Sequence, residues 1–273
     1  MEIKLEQSEV VLEQTRQLSS STGEFRFVRV DGKNVEFRPG QFFRFVFKDN
    51  QGEFERSYSL CNQVMDVPYL DLLISKVESG RATELLFASE QGLTAHVTGP
   101  YGRLLVPEPL PKRLFMVATS VGIAPYIPML TRLSPALKSK QVEVHFLYGT
   151  REHNEFVFGD VLEKYSEDHP DFHLSVCYSR VMPDEAREFE YQGYVQARLK
   201  NLDPDPKTDR VLLCGNPHMV DETYDWLKET GFGVKHVTRE KYVFAKETRS
   251  KSRTSLTDEH KKLIAEKMKK YQS

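Results

Sequence analysis

The stretch GPYGRLLVPEPLPKRLFMVATS, residues 99–120, spans the point at which the sequence changes its pattern. Its first half is rich in glycine and proline, the residues that most often end strands and form turns. It ends in residues 114–120, a short apolar run closed by two small hydroxylated side chains. Since 273 residues exceed the usual size of one domain, we expect two compact domains joined here.

Upstream of this stretch, from residue 23 to about residue 106, apolar side chains recur at every second position. In QFFRFVF, residues 41–47, three phenylalanines fall on one face of an extended chain, as a half-buried strand requires. Turn-forming pairs such as Asp31-Gly32 separate these runs. The pattern predicts an antiparallel sheet curled into a small β-barrel over residues 1–108.

Downstream, over residues 109–244, short apolar runs alternate with segments of helical spacing. This alternation predicts an α/β domain with a parallel, Rossmann-like sheet, whose ligands bind at the carboxyl ends of the strands. Those ends carry small, polar or basic residues, which suit a phosphorylated ligand. They are Thr119–Gly122, Gly149–Arg151, Tyr178–Arg180 and Cys214–Pro217.

The composition is that of a globular protein, with 39% hydrophobic and 29% charged residues. No apolar run has the length of a membrane span, and residues 1–20 lack the apolar block of a secretory signal. The cysteines Cys61, Cys177 and Cys214 are few and far apart, as in a reducing compartment, and neither they nor the histidines show metal-ligand spacing. We expect a cytoplasmic protein without a membrane span or a metal site.

Residues 245–273 form a basic C-terminal extension, with nine Lys and Arg against four Asp and Glu. Its first part is polar and predicts a flexible segment, and residues 258–271 have the composition of a helix. The extension is either a surface helix or frayed end, or a basic docking element for a partner. It has few aromatic residues to stack on bases, and the chain shows no nucleophile elbow, so nucleic-acid-binding and hydrolase functions are disfavoured.

The segment ERSYSLCN, residues 55–62, places a basic side chain and an aromatic ring on one face of a predicted strand. The guanidinium of Arg56 can bind two phosphate oxygens, and the ring of Tyr58 can stack on a planar group. A flavin dinucleotide offers both partners. A solvated arginine next to a common strand tyrosine would give the same pattern.

Together with PGQF at 39–42, SKVESGRAT at 75–83 and the GPYG turn, this segment resembles the RxYS flavin motif of the ferredoxin–NADP+ reductase family. The resemblance extends over residues 5–244 and implies a barrel that binds FAD, followed by an α/β domain that binds NADP(H). It implies that Arg56 binds the FAD pyrophosphate, that Tyr58 lies against the isoalloxazine and that Ser59 reaches its reactive edge. Backbone amides and a hydroxyl at 80–83 would make a second pyrophosphate contact. The residues implied at the FAD site are Arg56, Ser57, Tyr58, Ser59, Leu60, Gly80, Arg81, Ala82 and Thr83.

ATSVGIAP, residues 118–125, resembles the nucleotide loop of the same family, which implies contacts from Thr119 and Gly122. Small residues there let a pyrophosphate approach the amides at a helix start. Ser120 stands where the family usually has glycine, so its side chain would either tighten or crowd the nucleotide.

Cationic donors recognise the 2'-phosphate of NADP, whereas a carboxylate usually holds the free ribose of NAD. Ser179 and Arg180 end the third strand of the α/β domain, with no acid beside them. Tyr194 and Gln196 resemble the YxQ motif of the family, whose ring stacks on adenine. Arg151 follows the second strand as a further cation, or forms a surface ion pair with a nearby glutamate. These residues favour NADPH.

Two further motifs resemble the nicotinamide side of the family site. Cys214, in CGNPHM, would position the nicotinamide, with a buried core cysteine as the alternative. Glu240, in EKY, would lie close to the same ring. Either Tyr242 or Phe244 would cover the open face of the flavin and move aside for hydride transfer.

The implied function is hydride transfer between NADP(H) and FAD, coupled to one-electron transfer with ferredoxin or flavodoxin. A second hypothesis is an NAD(P)H-dependent flavin reductase component of an oxygenase or another multicomponent system. A third is a nonenzymatic binding protein that retains the two-domain fold.

Overall fold

The structure is a computed structural model that describes residues 5–243, and it confirms the predicted antiparallel barrel followed by a parallel sheet. The first sheet has the spatial order β4-β3-β6-β1-β2-β5. Its strands are β1 (Glu6–Gln17), β2 (Thr22–Arg29), β3 (Phe42–Asp49), β4 (Gly52–Ser59), β5 (Tyr69–Ser75) and β6 (Thr94–Tyr101), and helix α1 (Arg81–Ala88) connects β5 to β6.

The edge strands β4 and β5 meet through an isolated bridge between Leu60 and Leu72, next to which the N–H of Cys61 donates to the carbonyl of Asp71 at 2.8 Å. The sheet therefore curls into a barrel that this bridge closes at the end of β4. The alternating phenylalanines predicted to face inward do so: Phe45 and Phe47 are fully buried. Each such ring contributes about 1.5–3 kcal/mol to stability by leaving water.

Two elements of the barrel were not predicted from the pattern. Strand β1 begins at Glu6, well before the alternation at residue 23, because most of its second half is exposed and carries few apolar residues. Helix α1 begins inside the segment 80–83, which by itself predicts only a turn.

The second sheet is entirely parallel and has the order β10-β9-β8-β7-β11-β12. Its strands are β7 (Arg113–Thr119), β8 (Glu143–Thr150), β9 (Phe172–Tyr178), β10 (Glu190–Gln192), β11 (Asp209–Gly215) and β12 (Val237–Lys241), and its helices are α2 (Tyr126–Lys138), α3 (Gly159–Asp168), α4 (Val195–Asn201) and α5 (Pro217–Glu229).

The strand order reverses between β7 and β11, because the chain runs outward from β7 through β10 and then returns to β11 on the other side of β7. Such a switch point opens a crevice at the carboxyl ends of the strands. Residues 102–112 connect the two sheets, and the predicted boundary at 108 falls within them. The predicted extension at 245–273 lies outside the described residues. None of the helices within 5–243 is both long and apolar enough to cross a membrane.

Candidate active site at the meeting of barrel and sheet

Strand β4 presents Arg56 and Tyr58 on one face, as its alternation predicts. Tyr58 pairs with Phe43 on β3, and its half-buried ring meets Phe45 and Phe47 edge-on, with centroid distances of 5.8 and 6.5 Å. One edge of the tyrosine thus rests on the barrel core while the side chain keeps partial exposure. Burial raises the pKa of the phenol, which stays protonated at physiological pH.

Arg56 has a half-buried guanidinium that forms no ion pair with any residue in the part of the chain that the structure describes. Its Nη1 donates to the carbonyl of Glu55 at 2.6 Å, and its guanidinium carbon lies 5.4 Å from the centre of the Phe54 ring. A cation held in place without a carboxylate is suited to an anionic ligand.

The turn at Gly80 starts helix α1, and its side chains are already engaged. Arg81 forms an ion pair with Asp49 at 2.5 Å, and the Thr83 hydroxyl lies 3.0 and 2.9 Å from the carbonyls of Val77 and Gly80. The hydroxyl expected to meet anionic oxygens is therefore occupied within the loop. The N–H groups of the first helical turn have no partners within the helix, so they are the part of this segment that is open to an anion.

The end of β4 meets β12 through one hydrogen bond: the Ser59 hydroxyl donates to Oε1 of Glu240 at 3.1 Å. The parallel register places Glu240 opposite Cys214 on β11. Burial raises the pKa of Glu240, and the hydrogen bond from Ser59 opposes that rise. Burial also raises the pKa of the Cys214 thiol, so the group is not a thiolate nucleophile at neutral pH.

Tyr242 completes this arrangement from the chain segment after β12. Its backbone N–H donates to the carbonyl of Gly215 at 2.9 Å. Its phenolic oxygen is buried near Cys214 and Ser59 and has no hydrogen bond of normal geometry among residues 5–243. We call Ser59, Cys214, Glu240 and Tyr242 the junction, since they join the barrel to the sheet. Phe244, the alternative covering aromatic, lies outside the described residues.

The switch point itself requires two glycines. Gly215 has φ +126°, and a Cβ there would lie 2.4 Å from the hydroxyl oxygen of Thr119, which accepts a hydrogen bond from the N–H of Asn216 at 2.9 Å. A Cβ at the buried Gly122 would lie 2.5 Å from the carbonyl oxygen of Cys214. Gly122 thus permits close packing of its loop on β11, a reason different from the predicted approach of a nucleotide.

Ser120 adopts the left-handed backbone conformation, with φ 51°. Non-glycine residues pay about 1–2 kcal/mol for this conformation, which explains why glycine suits the position. The serine hydroxyl lies 3.3 Å from that of Ser75 at the end of β5, so it touches the barrel across the cleft.

A cleft of about 660 Å³ extends from this point along the carboxyl ends of the sheet. The barrel side contributes Ser75 and Lys76, the first two residues of the SKVESGRAT segment, which were not predicted to bind a ligand. Asn216 also lines the cleft, and its side chain accepts hydrogen bonds from the first turn of α5. It belongs to the strand end Cys214–Pro217 that was expected to meet a phosphorylated ligand, and its place before Pro217 is a recognisable helix-start signal.

The outer wall of the cleft includes Arg151, Ser179, Tyr194 and Gln196. Together with Arg180, which follows Ser179 in the chain but does not itself line the cleft, we call these residues the nucleotide rim. Tyr194 is 66% exposed, as a stacking surface would be. Arg180 is exposed and has no ion-pair partner among the described residues. The Ser179 hydroxyl donates to the carbonyl of Thr150 at 3.3 Å.

Two carboxylates of the cleft engage rim residues that were predicted to bind nucleotide. Nε of Arg151 donates to Oε2 of Glu155 at 2.9 Å, so the alternative of a surface ion pair describes this arginine. Burial alone would raise the pKa of Glu155, but Arg151 outweighs it and the pKa falls below its usual value. Glu222 accepts from the Gln196 amide at 3.0 Å, while Oε1 of Gln196 is buried and unpaired within the described chain. Two acids, Glu155 and Glu222, therefore line the cleft. The sequence analysis had considered only the end of the third strand, at Ser179 and Arg180, which carries no acid.

Two regions of the chain match known domain families. Residues 9–105 match the family described as "Oxidoreductase FAD-binding domain", and residues 116–225 match "Oxidoreductase NAD-binding domain". Fold and site therefore define a two-domain oxidoreductase that uses FAD and a nicotinamide nucleotide.

Ferredoxin–NADP reductase B of Sorangium cellulosum is 30% identical over 250 residues, which cover 88% of this chain and 99% of that protein. The reductase component of propane 2-monooxygenase of Rhodococcus jostii is 26% identical over 80% of this chain and 59% of its own length. The structure of a ferredoxin NADP+ reductase from Neisseria gonorrhoeae with bound FAD and NADP has a TM-score of 0.74 at 23% identity, covering 86% of this chain and 98% of that one. The chain belongs to the ferredoxin–NADP+ reductase family.

Proposed function

We propose that the chain is an FAD-dependent reductase that connects NADP(H) with ferredoxin or flavodoxin. In this proposal the barrel, residues 1–108, holds FAD, and residues 109–244 hold NADP(H). The hydrogen bond from Ser59 to Glu240 is the observation that carries it. This bond brings the end of the flavin motif into contact with the strand next to the switch point, where the nicotinamide end of a dinucleotide would arrive.

The residues present fit an FAD molecule. Arg56 is a cation without a carboxylate partner among the described residues, and the N–H groups at the start of α1 lack partners within their helix. Both are suited to a pyrophosphate. The Tyr58 ring is held in place by its contact with Phe45 and remains partly exposed, as a ring that stacks on a planar ligand must be. Gln196 fits a nucleotide on the other side, because its buried Oε1 lacks a donor.

When bound, FAD exchanges a hydride with the nicotinamide and single electrons with the protein carrier. Ser59 and Glu240 fix the geometry of the pocket that receives both rings. Cys214 provides a small, polarizable and un-ionised wall that needs no hydrogen bond from the nicotinamide. We assign the covering role to Tyr242, whose ring packs next to Cys214 and whose phenol makes no hydrogen bond of normal geometry among residues 5–243.

The choice of NADPH over NADH rests on Arg180, with support from Ser179 and Tyr194 of the rim. Arg180 is exposed and unpaired within residues 5–243, so its charge is available for a 2'-phosphate. Arg151 adds less, because Glu155 neutralises it.

The test of the proposed function is a stepwise anaerobic titration. The purified protein, reconstituted with FAD, should show the visible absorption of a flavoprotein, and stoichiometric NADPH should bleach it. Ferredoxin or flavodoxin, added separately, should then restore the absorption. Folded protein that takes up no FAD would contradict the proposal, as would a flavin that NADPH does not reduce.

A second candidate is the reductase component of an oxygenase, which the similarity to the propane 2-monooxygenase component favours. In that case NADPH or NADH would bleach the flavin, and neither ferredoxin nor flavodoxin would reoxidise it at a useful rate. The alternative of a nonenzymatic binding protein is set aside, since the chain belongs to an enzyme family. A cytoplasmic location remains our prediction, and the three cysteines, all unpaired and buried, are in keeping with a reducing compartment.

A further inference from the structure

A cluster of three metal-ligating side chains lies at the end of the parallel sheet opposite to the cleft. Glu143 is the first residue of β8, His145 follows two positions later on the same face, and His173 is the residue paired with His145 on β9. The linear sequence shows no metal-ligand spacing because the histidines come from different strands. Only strand pairing brings them together.

The ligand atoms of the cluster converge on one point. Oε1 of Glu143 lies 2.7 Å from Nε2 of His145 and 3.4 Å from Nε2 of His173, and one ligand atom from each residue lies within 4.8 Å of the others. In a tetrahedral zinc site with Zn–N distances of about 2.1 Å, neighbouring ligand atoms are about 3.4 Å apart. The carboxylate oxygen and His173 already have this spacing, and the carboxylate would need to move from His145 by about 0.7 Å.

The surroundings hold the ligands in position and leave a way in. The His145 ring stacks on Phe115 with a centroid distance of 4.9 Å, which fixes its plane. The side chains of Glu143 and His173 are 40% and 47% exposed, so an ion can enter from solvent and keep a water as a fourth ligand.

The cation next to the cluster does not compete with a metal. Arg113 on β7 pairs in register with Glu143, but its guanidinium lies 2.6 Å from the buried carboxylate of Asp209 and also donates to the carbonyls of Leu202 and Asp203. Its charge is therefore neutralised on the side away from the carboxylate of Glu143.

We propose that Glu143, His145 and His173 form a binding site for a divalent transition-metal ion, best matched to Zn²⁺. Two imidazoles and one carboxylate are a ligand set that zinc uses in proteins. The site lies at the amino ends of β8 and β9, far along the strands from the cleft. The ion would join two neighbouring strands and stabilise the sheet by mass action, independently of hydride transfer.

The test uses FAD-loaded, full-length protein without a polyhistidine tag, stripped with a chelator and titrated with ZnCl₂ by calorimetry. We expect saturable binding of one equivalent and a higher unfolding temperature with Zn²⁺. Glu143→Gln and His173→Ala, both at partly exposed positions, should weaken binding by about tenfold or more. His96→Ala, at an exposed position on β6, should bind like the wild type.

Absence of saturable binding would overturn the proposal, and so would equal affinity in the wild type and both ligand variants. The latter result would point to other histidines or cysteines. If a variant loses its flavin absorption because it does not fold, the wild type still tests the proposal. Co²⁺ added to the wild type should selectively broaden the NMR signals of two of the eight histidine rings. Uniform broadening of all of them would count against the site.

Discussion

The junction and the nucleotide rim both lie at the carboxyl ends of the parallel sheet, but they are held in different ways. Strand register and backbone contacts place Cys214, Glu240 and Tyr242, and a single hydrogen bond ties them to Ser59. The rim consists of long or exposed side chains such as Arg151, which already has a carboxylate partner. The backbone therefore determines geometry at the junction, whereas local charges determine selectivity at the rim.

The junction and the rim should also differ in the substitutions that they tolerate. At the junction a single added methyl group meets backbone atoms that cannot move away. At the rim, replacing one member of an exposed ion pair leaves the other member to the solvent. The cost in stability is about 1 kcal/mol or less. Variants in the two parts should thus differ in kind as well as in size.

The largest effect is expected from Gly122→Ala, which tests whether the junction depends on its backbone contacts. The new Cβ would lie 2.5 Å from the carbonyl oxygen of Cys214, so the loop or β11 must shift. We expect a loss of about 3 kcal/mol in the free energy of unfolding, measured with urea, and slower flavin reduction by NADPH. The control is Gly233→Ala, where φ is −75° and no atom lies within 4 Å. Equal stability of the two variants would show that the junction is not so constrained.

The next effect concerns the rim and the two arginines proposed to recognise a 2'-phosphate. Arg180→Gln should lower the ratio of kcat/KM for NADPH to that for NADH by about tenfold, equivalent to 1.4 kcal/mol. Arg151→Gln should change this ratio less, because Glu155 already neutralises that charge. Steady-state kinetics with both nucleotides provide the measurement. If Arg151→Gln had the larger effect, the ion pair would have to open when nucleotide binds.

The two-domain fold could be predicted from the sequence because it depends on backbone pattern, whereas the four junction residues were named only through the resemblance to the family. Alternating phenylalanines such as Phe45 predict barrel strands, and short apolar runs predict the parallel sheet. The rim was harder to predict, since the partner of Arg151 depends on which rotamer reaches Glu155. The metal-ligand cluster was missed altogether, because His145 and His173 become neighbours only when β8 and β9 pair.

A smaller effect, in stability and its pH dependence, is expected at Glu240. Burial raises the pKa of this carboxyl above its usual value of 4.5, so ionisation costs more in the folded protein than in the unfolded chain. The wild type should therefore lose stability as the pH rises from 4.5 through the raised folded-state pKa, and Glu240→Gln should not. We expect the variant to be more stable by about 1 kcal/mol at neutral pH and to lose this advantage below pH 4.5.

Urea unfolding across this pH range measures the difference for Glu240→Gln. Glu13→Gln, at an exposed position on β1, controls for the loss of one carboxylate elsewhere. A stability difference that did not vary with pH would mean that Glu240 is not destabilised by burial, and the junction would then be wetter than its geometry indicates.

The smallest effect belongs to Ser120, which lies between the junction and the rim. Its left-handed backbone costs about 1–2 kcal/mol, and glycine would relieve this while losing part of the gain to the greater entropy of the unfolded chain. Ser120→Gly should therefore raise the free energy of unfolding by about 0.5 kcal/mol. Lys140→Gly, at φ 54° after α2 and away from the cleft, should give a similar gain. Because only Ser120 reaches Ser75 across the cleft, only Ser120→Gly should also change the KM for NADPH. An unchanged KM would mean that the Ser120 side chain takes no part in nucleotide binding, which would then depend on the rim.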